Sequence, residues 1–325
     1  MQLVRTTENL ALRNTACAIG MFDGIHAGHR LVLENAIREA RSRGLQSVVF
    51  SFANHPQALL AKTPTALLTT LQDRLTAFEA MGFDTAVILD FDETLRDMTA
   101  TAFVHHLLVD HLGVKHVTVG YDHRFGKDRT GDTALLSQLG KQYGFETTVI
   151  DPVRVTDLDS ISGQIVSSTL IRKLISHGNL MEANHLLGHP YGLTGTVVSG
   201  FQRGRTLGFP TANLAVPADR LIPGVGAYVV TARIGGTSQP EQPAVCNIGF
   251  APTFEDAEPV KRVEVHLLDY AGDSFYNETL TVRFLKRLRP ELSFTTVETL
   301  VRQIETDCRQ ARQLFAHPSH SQTQS

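Results

Sequence analysis

Short apolar segments alternate with segments of helical periodicity through the first half of the chain. The apolar segments are residues 15–19, 46–52, 85–91, 116–120 and 146–150. Helical patterns lie between them, near residues 29–42, 71–81, 99–112 and 133–143. This alternation predicts a parallel sheet with helices on both faces, because parallel strands need long crossover connections. In such sheets, ligands bind beyond the carboxyl ends of the strands.

The pattern changes after about residue 188. Short alternating runs follow at residues 194–199, 226–233, 244–248, 262–269 and 279–285. Their spacing predicts an antiparallel barrel or sandwich, followed by an amphipathic helix over residues 296–313. The breaker Gly188-His189-Pro190 marks a boundary. We therefore expect domains at residues 1–187 and 188–313, and a disordered polar tail over 314–325.

Charge and cysteine content narrow the functional class. The formal net charge of -3 gives no sign of nucleic-acid binding, and no apolar run is long enough to span a bilayer. The three cysteines are too far apart for a zinc pattern or a disulfide framework, and the N-terminus lacks a signal peptide. We expect a cytoplasmic protein with small-molecule substrates and no nucleic-acid or membrane partner, either a monomer or a weak homo-oligomer.

Two histidines follow the first apolar run, where a helical pattern begins. His26 and His29 are three positions apart, so their imidazoles are expected on one helical face. Exposed N–H groups and the helix dipole favour an anion there, and Gly24 and Gly28 let a phosphate approach the backbone. The segment predicts a phosphate site whose imidazoles stabilise charge on a transferring group. A metal pair or two surface histidines is the alternative for His-x-Gly-His alone.

Three further segments of the first half carry polar groups. His55-Pro56 follows the second apolar run, and residues 119–126, which include Asp122, follow the fourth. Hydroxyls at Ser167–Thr169 begin a helix, with Arg172 placed to pair with a phosphate. Taken singly, these segments are equally typical of a turn, a solvated loop and an N-cap.

The second half contains a glycine- and arginine-rich stretch over residues 195–214. Gly200 and Gly208 flank Arg205, which suits a phosphate cradle. Thr211 and Asn213 follow in Pro-Thr-Ala-Asn and offer the oxygen ligands that Mg²⁺ prefers. An ordinary turn is the alternative for this tetrapeptide.

An alternating segment over residues 263–269 carries one carboxylate at its second position. Glu264, His266 and Leu268 are expected on one face of this strand. A carboxylate that accepts a proton assists phosphorylation of an alcohol. The alternative is that this glutamate occupies a solvent-exposed surface position, as glutamates in strands usually do.

In their order and spacing, these motifs resemble the bacterial bifunctional riboflavin kinase/FMN adenylyltransferase family. The resemblance implies a Rossmann-like α/β nucleotidylyltransferase domain followed by an antiparallel β-barrel with a C-terminal helix. It implies ATP-dependent phosphorylation of riboflavin to FMN, then adenylylation of FMN to FAD with release of pyrophosphate. Mg²⁺ is the implied metal, ATP the co-substrate, and FMN and FAD are products or substrates.

The resemblance also assigns roles to residues. It implies an ATP and phosphate site in the first domain at Gly20, Phe22, Asp23, Gly24, His26, His29, Ser168, Thr169 and Arg172. It implies flavin contacts there at His55, Pro56 and Asp122. In the barrel it implies phosphate contacts at Gly200, Arg205, Gly208, Thr211 and Asn213, with the last two also binding Mg²⁺. The implied catalytic residues are Glu264, His26 and His29.

One position departs from the family pattern. Many members carry Arg or Lys just before the Ser-Ser pair, where this chain has residues 164–166, Gln-Ile-Val. Arg124, Lys127 or Arg172 would have to supply that charge. Two alternatives stay open from the sequence: a nucleotidylyltransferase acting on another phosphate, such as a pantetheine, nicotinamide or lipid head-group substrate, and a flavin-binding or regulatory protein without activity.

Overall fold

The computed structural model describes residues 1–8, 10–56, 65–199, 207–236, 239–250, 261–273 and 275–316. The chain divides into two compact units, Met1–Leu170 and Ile171–Ser325, each with its own β-sheet. The predicted boundary between residues 187 and 188 lies further along the chain and stays a prediction. Among the described residues, no helix combines the length and the apolar character needed to cross a bilayer.

The first unit contains a six-stranded parallel sheet, as predicted. Its strands are β1 (Gln2–Val4), β2 (Thr15–Ile19), β3 (Gln46–Phe52), β4 (Thr85–Leu89), β5 (Val114–Gly120) and β6 (Glu146–Ile150). They are ordered β1-β4-β3-β2-β5-β6, and every pair is parallel. Strand order reverses between β2 and β5, which is the point where such sheets bind ligands.

Helices cover both faces of this sheet. They are α1 (Ala27–Arg43), α2 (Leu71–Met81), α3 (Glu93–Asp97), α4 (Ala100–Ala102), α5 (Phe103–His111), α6 (Thr133–Tyr143) and α7 (Ser168–His177), of which α7 runs across the unit boundary. Alternate residues of β2 point to opposite faces: Ala18 packs with Leu33 and Phe78, whereas Cys17 packs with Val104. This two-sided core confirms the predicted architecture.

Capping groups define where these helices begin and end. Thr70 and Asp73 form a reciprocal capping box at the start of α2. Gly44 and Gly82 end α1 and α2 in the left-handed conformation, with φ of 63° and 89°. These signals explain why the expected helix boundaries agree closely with the structure. The helix α5 is wound more loosely than expected, since the Leu112 N–H donates to the Leu107 carbonyl five residues back.

The second unit contains a closed antiparallel barrel of six strands. They are β7 (Tyr191–Val198), β8 (Ala212–Ala215), β9 (Gly226–Ile234), β10 (Gln242–Phe250), β11 (Lys261–Leu267) and β12 (Thr279–Arg289), ordered β10-β11-β8-β7-β12-β9. Helix α8 (Leu180–Leu187) precedes the barrel. Helix α9 (Val297–Ala316) packs Cys308 and Ala311 against Val229 and Val245. The barrel and its final helix are confirmed, and residues 314–316 of the predicted tail are helical.

Candidate active sites in the two units

A strained loop connects β2 to α1 and presents the two histidines. Phe22, Gly24 and Ile25 have φ of 52°, 91° and 43°, so the chain turns sharply there. The buried Asp23 carboxylate accepts hydrogen bonds from the backbone N–H groups of Leu68 and Thr69 and from the Thr69 hydroxyl, at 2.9–3.0 Å. These bonds hold the loop in its turned conformation.

The two histidine rings lie directly against each other. His26 caps α1, and its Nδ1 accepts the His29 backbone N–H at 3.3 Å. The two rings stack with centroids 3.7 Å apart and an angle of 18° between their planes. Because Nδ1 accepts, a neutral His26 ring carries its proton on Nε2. Gly28 makes room for this arrangement, since a Cβ there would lie 3.3 Å from the His26 ring.

These histidines line a cleft of about 310 Å³ at the carboxyl ends of β2, β5 and β6. The predicted site residues that line it are Gly20, Phe22, His26, His29, Asp122, Ser168 and Thr169. The structure therefore brings together residues that lie up to 149 positions apart in the chain. The start of α7 is joined to the histidine loop by a 2.8 Å hydrogen bond from the Ser168 hydroxyl to the Asp23 carbonyl.

Other predicted residues of the first unit do not line this cleft. Asp23 and Gly24 lie behind its wall, both bonded to the Thr69 side chain. His55-Pro56 follows β3 and is half-buried outside the lining set. Arg172 falls in the second unit, so its part in this site stays a prediction.

Basic and titratable groups differ in their access to the cleft. Of the three candidates to replace the missing basic residue, Arg124 lines the cleft, 3.3 Å from the Asp132 carboxylate, whereas Lys127 pairs with Asp97. His123 also lines the cleft, and its buried Nε2 has no hydrogen-bond partner among the described residues. Burial, and secondarily the charge of Arg129, lowers the pKa of His123 to about 4. His123 is therefore a neutral imidazole at neutral pH.

Sequence reasoning missed part of the cleft wall. Asp151 and Pro152 are not among the predicted site residues, yet both line the cleft together with Val153. Their position directly after β6 was the available signal, because the same strand-end rule that selected His26 and Asp122 applies to them.

A second cleft, of about 360 Å³, opens in the barrel unit. Thr211, Asn213 and Glu264 all line it. Glu264 on β11 lies opposite Asn213 on β8 and opposite Asn247 on β10, so the carboxylate is flanked by two amide side chains. The alternation predicted for β11 is confirmed: Val263, Val265 and Leu267 are buried, and His266 shares the cleft with Glu264.

A buried ion pair forms part of this second cleft. The Arg289 guanidinium donates to the Asp307 carboxylate at 2.8–3.2 Å, and the Gln303 amide donates to it at 2.9 Å. These bonds fix α9 against the end of β12. The Gly208 backbone adopts φ of 87° between the cleft-lining residues Leu207 and Phe209. Predicted phosphate contacts at Gly200 and Arg205 lie outside the described residues.

The oxygen donors of the second cleft are chemically suited to a hard cation. A threonine hydroxyl, an asparagine amide and a glutamate carboxylate line the same space. Mg²⁺ prefers such oxygen ligands and few of them from protein, keeping the remainder for water and phosphate. The donor set at Thr211, Asn213 and Glu264 thus fits a magnesium–nucleotide complex.

Comparisons with known proteins agree with the two-unit architecture. Residues 8–169 match the family model for FAD synthetase, and residues 187–315 match that for riboflavin kinase. Together, the fold and the clefts define a protein that joins a nucleotidylyltransferase-type α/β unit to a flavokinase-type barrel.

Relatives span nearly the whole chain. Bifunctional riboflavin kinase/FMN adenylyltransferases are 36% identical in Listeria monocytogenes, over 96% of each chain, and 39% identical in Escherichia coli, over 97% of this chain and 98% of the relative. A solved structure described as a macrolide-efflux protein from Streptococcus pneumoniae superposes with a TM-score of 0.81 at 30% identity, covering 95% of this chain and 98% of that one. The chain belongs to the bifunctional riboflavin kinase/FMN adenylyltransferase family.

Proposed function

We propose that this chain converts riboflavin to FAD in two ATP-dependent steps, one in each unit. The observation that carries the proposal is the presence of two separate clefts, each in a unit matched by one of the two family models. The barrel is a riboflavin kinase that forms FMN. The α/β unit is an FMN adenylyltransferase that forms FAD and releases pyrophosphate.

In the kinase step, Glu264 accepts the proton of the riboflavin 5′-hydroxyl. The resulting oxygen nucleophile forms a bond to the γ-phosphorus of ATP while the bond to ADP breaks. Thr211 and Asn213 would hold Mg²⁺, which when bound neutralises charge on the phosphates. Gly208, with Gly200 and Arg205, is the proposed phosphate contact. The cross-strand pairing of Glu264 with Asn213 supports this assignment, because it places base and nucleotide ligand side by side.

In the adenylyl step, a phosphate oxygen of FMN attacks the α-phosphorus of ATP and pyrophosphate leaves. His26, His29 and the start of α1 stabilise the charge that develops on the phosphate oxygens. Gly20, Phe22, Ser168 and Thr169 line the same cleft and are proposed to surround the triphosphate, with Asp23 and Gly24 shaping the loop. Arg124 is the cation best placed to act in place of the residue missing before Ser167, and Arg172 remains a candidate.

Three residues are the proposed flavin contacts of the first unit. Asp122 lines the cleft directly and is proposed to contact FMN. His55 and Pro56 follow the neighbouring strand β3 and are proposed as further flavin contacts. The cytoplasmic location and the monomeric or weakly oligomeric state stay predictions.

Chromatography of flavins tests both assignments in one chain. With riboflavin, ATP and Mg²⁺, the protein is expected to yield FMN and then FAD. His29→Ala should slow FAD formation about 10²–10³-fold, the usual effect of losing one charge-stabilising group, and leave FMN formation intact. Glu264→Gln should slow FMN formation about 10²-fold or more, yet convert added FMN to FAD at the normal rate. Equal loss of both activities in either variant would contradict the assignment of one reaction to each unit.

A further inference from the structure

The guanidinium of Arg74 is completely buried inside the first unit. Arg74 lies in the first turn of α2. Its Nη1 donates to the Met21 carbonyl at 2.9 Å, the Ser51 hydroxyl at 3.0 Å and the Phe52 carbonyl at 2.9 Å, and its Nη2 donates to the Ala53 carbonyl at 3.2 Å. One side chain therefore contacts four acceptors, which lie on β3 and on the loops that follow β2 and β3.

Two of the acceptors, Met21 and Ala53, belong to the loops that carry the predicted ATP and flavin residues, and the other two belong to β3. Met21 lies between Gly20 and Phe22, in the loop that leads from β2 to the histidines. Ala53, whose carbonyl accepts the Nη2 bond, lies in the loop after β3, two residues before His55. Nη1 alone joins the histidine loop to the end of β3, and Nη2 adds the loop after β3, so the forked guanidinium holds all three places at once.

Arg74 is an unusual group to bury. All four of its acceptors are uncharged, and no carboxylate in the described part of the chain lies within 4 Å of it. Burial lowers its pKa, although the neighbouring charges of Asp23 and Asp73 oppose the shift. Replacing Arg74 by an apolar side chain would take this donor from four acceptors and would cost stability, so stability and activity have to be measured separately.

The segment just before Arg74 makes a second attachment to the same loop. Leu68 and Thr69 bind the Asp23 carboxylate, and the Thr69 hydroxyl accepts the Gly24 N–H at 3.0 Å. The histidine loop is thus held at Met21, Asp23 and Gly24 by one stretch of chain that ends in the first turn of α2.

We propose that Arg74 is a positioning residue for adenylyl transfer, which sets the spacing between the histidine loop after β2 and the loop after β3. This inference rests on the proposed adenylyltransferase function of the first unit. Arg74 acts through the backbone of Met21, Phe52 and Ala53, and so it sets the alignment of bound ATP and FMN. Alignment of reactants governs the chemical step, and a misplacement of about 1 Å can cost about 10²-fold in rate.

The test compares Arg74→Met, Arg74→Lys and the exposed control Arg38→Met in the full chain, with FMN and ATP as substrates. We expect Arg74→Met to lower kcat for FAD formation about 10- to 100-fold while KM for ATP changes less than kcat. Lysine keeps the charge but has one donor nitrogen and so loses the Nη2 bond to Ala53 in the loop after β3, and Arg74→Lys should therefore fall between Met and wild type. The control and the riboflavin kinase activity of every variant should equal those of the wild type.

A purely structural role predicts a different result. Thermal unfolding of each variant gives the folded fraction at the assay temperature, and kcat is expressed per folded molecule. A kcat per folded molecule within about threefold of wild type for both Arg74 variants would overturn the proposal. If Arg74→Met fails to fold, Arg74→Lys alone decides, since a normal kcat there shows that holding both loops is unnecessary. Absence of FAD formation by the wild type would instead refute the proposed function itself.

Discussion

The buried residue His123, which lines the first cleft, is expected to make the stability of the protein depend on pH. Its imidazole stacks on the Phe125 ring, with centroids 5.6 Å apart, and its buried Nε2 makes no hydrogen bond with the described residues. Burial and the nearby Arg129 charge hold its pKa at about 4, whereas a histidine in the unfolded chain titrates near 6.5. Protonating this ring in the folded protein is therefore costly.

We expect the protein to lose stability as the pH falls from about 6.5 towards 4. In that window the unfolded chain binds a proton at this position and the folded protein does not, so the unfolding free energy decreases with falling pH. The difference between the two pKa values corresponds to about 3–4 kcal/mol. His123→Gln should remove this part of the pH dependence in denaturant unfolding measured between pH 7.5 and 4.5.

The exposed residue His177 provides the control for that experiment. His177→Gln should leave the pH dependence as in the wild type. His116 is also buried, and burial lowers its pKa, so some acid sensitivity should persist in His123→Gln. Identical pH profiles for His123→Gln and the wild type would rule out this explanation.

The sequence predicted contacts between neighbouring residues better than it predicted the contacts of buried charged groups. The pairing of His26 with His29 follows from helical spacing and is present in the structure. Asp23 accepts hydrogen bonds from Leu68 and Thr69, about 45 positions away, and its place beside the histidines did not indicate this contact. No sequence pattern indicated a role for Arg74, because its acceptors lie 21 to 53 positions before it and are mostly backbone carbonyls. Local patterns carry no information about such contacts.

At the scale of elements, the strands with clear alternation or long apolar runs were predicted, and the two shortest strands were not. β1 has three residues and β8 has four, too few for a periodic pattern. β8 also begins within Pro-Thr-Ala-Asn, whose residues favour turns. It nevertheless closes the barrel by pairing with β7 and β11, and it places Asn213 opposite Glu264. Long-range pairing overrides local preference in this segment.

The closure of the barrel at β8 depends on a glycine in β7. A Cβ at Gly195 would overlap the Ala215 carbonyl oxygen and approach the Leu214 side chain. Gly195→Ala should therefore push β8 away from β7 and cost about 1–3 kcal/mol of unfolding free energy. Because β8 carries Asn213, FMN formation should decrease together with stability, as measured by denaturant unfolding and flavin chromatography.

A second glycine of β7 serves as a matched control. A Cβ at Gly192 would make only an ordinary contact, 3.5 Å from the Val282 carbonyl oxygen. Gly192→Ala is therefore expected to keep both stability and FMN formation near wild type. If the two substitutions have the same effect, close packing of β7 on β8 is not the cause.

For the whole molecule, the change of sequence pattern along the chain predicted an α/β sheet followed by an antiparallel barrel, and the two sheets confirm that architecture. The domain boundary predicted after residue 187 stays a prediction, and the division into compact units falls at a different point. The unit boundary falls inside α7, between Leu170 and Ile171, in a helix with no breaker at that point. The Gly-His-Pro breaker that marks residue 188 ends α8 instead, with Gly188 in the left-handed conformation. A change of chain direction and a change of compact unit are different events, and only the first has a local sequence signal.

Each unit buries apolar side chains of its own, and this predicts how the loss of one of them should affect the two activities. Leu108 is fully buried in the core of the first unit, and Phe284 is fully buried in the barrel, where its ring meets the Tyr228 ring edge-on. Truncating either side chain to alanine leaves a cavity that costs about 2–5 kcal/mol. Because a domain with its own core can unfold by itself, each loss should remain within its unit.

In Leu108→Ala, FAD formation should therefore be lost on heating at a lower temperature than in the wild type. FMN formation should be lost only at the temperature at which the wild type loses it. Phe284→Ala should show the reverse order, with FMN formation lost first and conversion of added FMN to FAD preserved. Residual activities measured after brief incubation at increasing temperatures test this directly. Simultaneous loss of both activities in both variants would show that the chain unfolds as a single cooperative unit, since cavities in independent cores cannot lower both thermal limits equally.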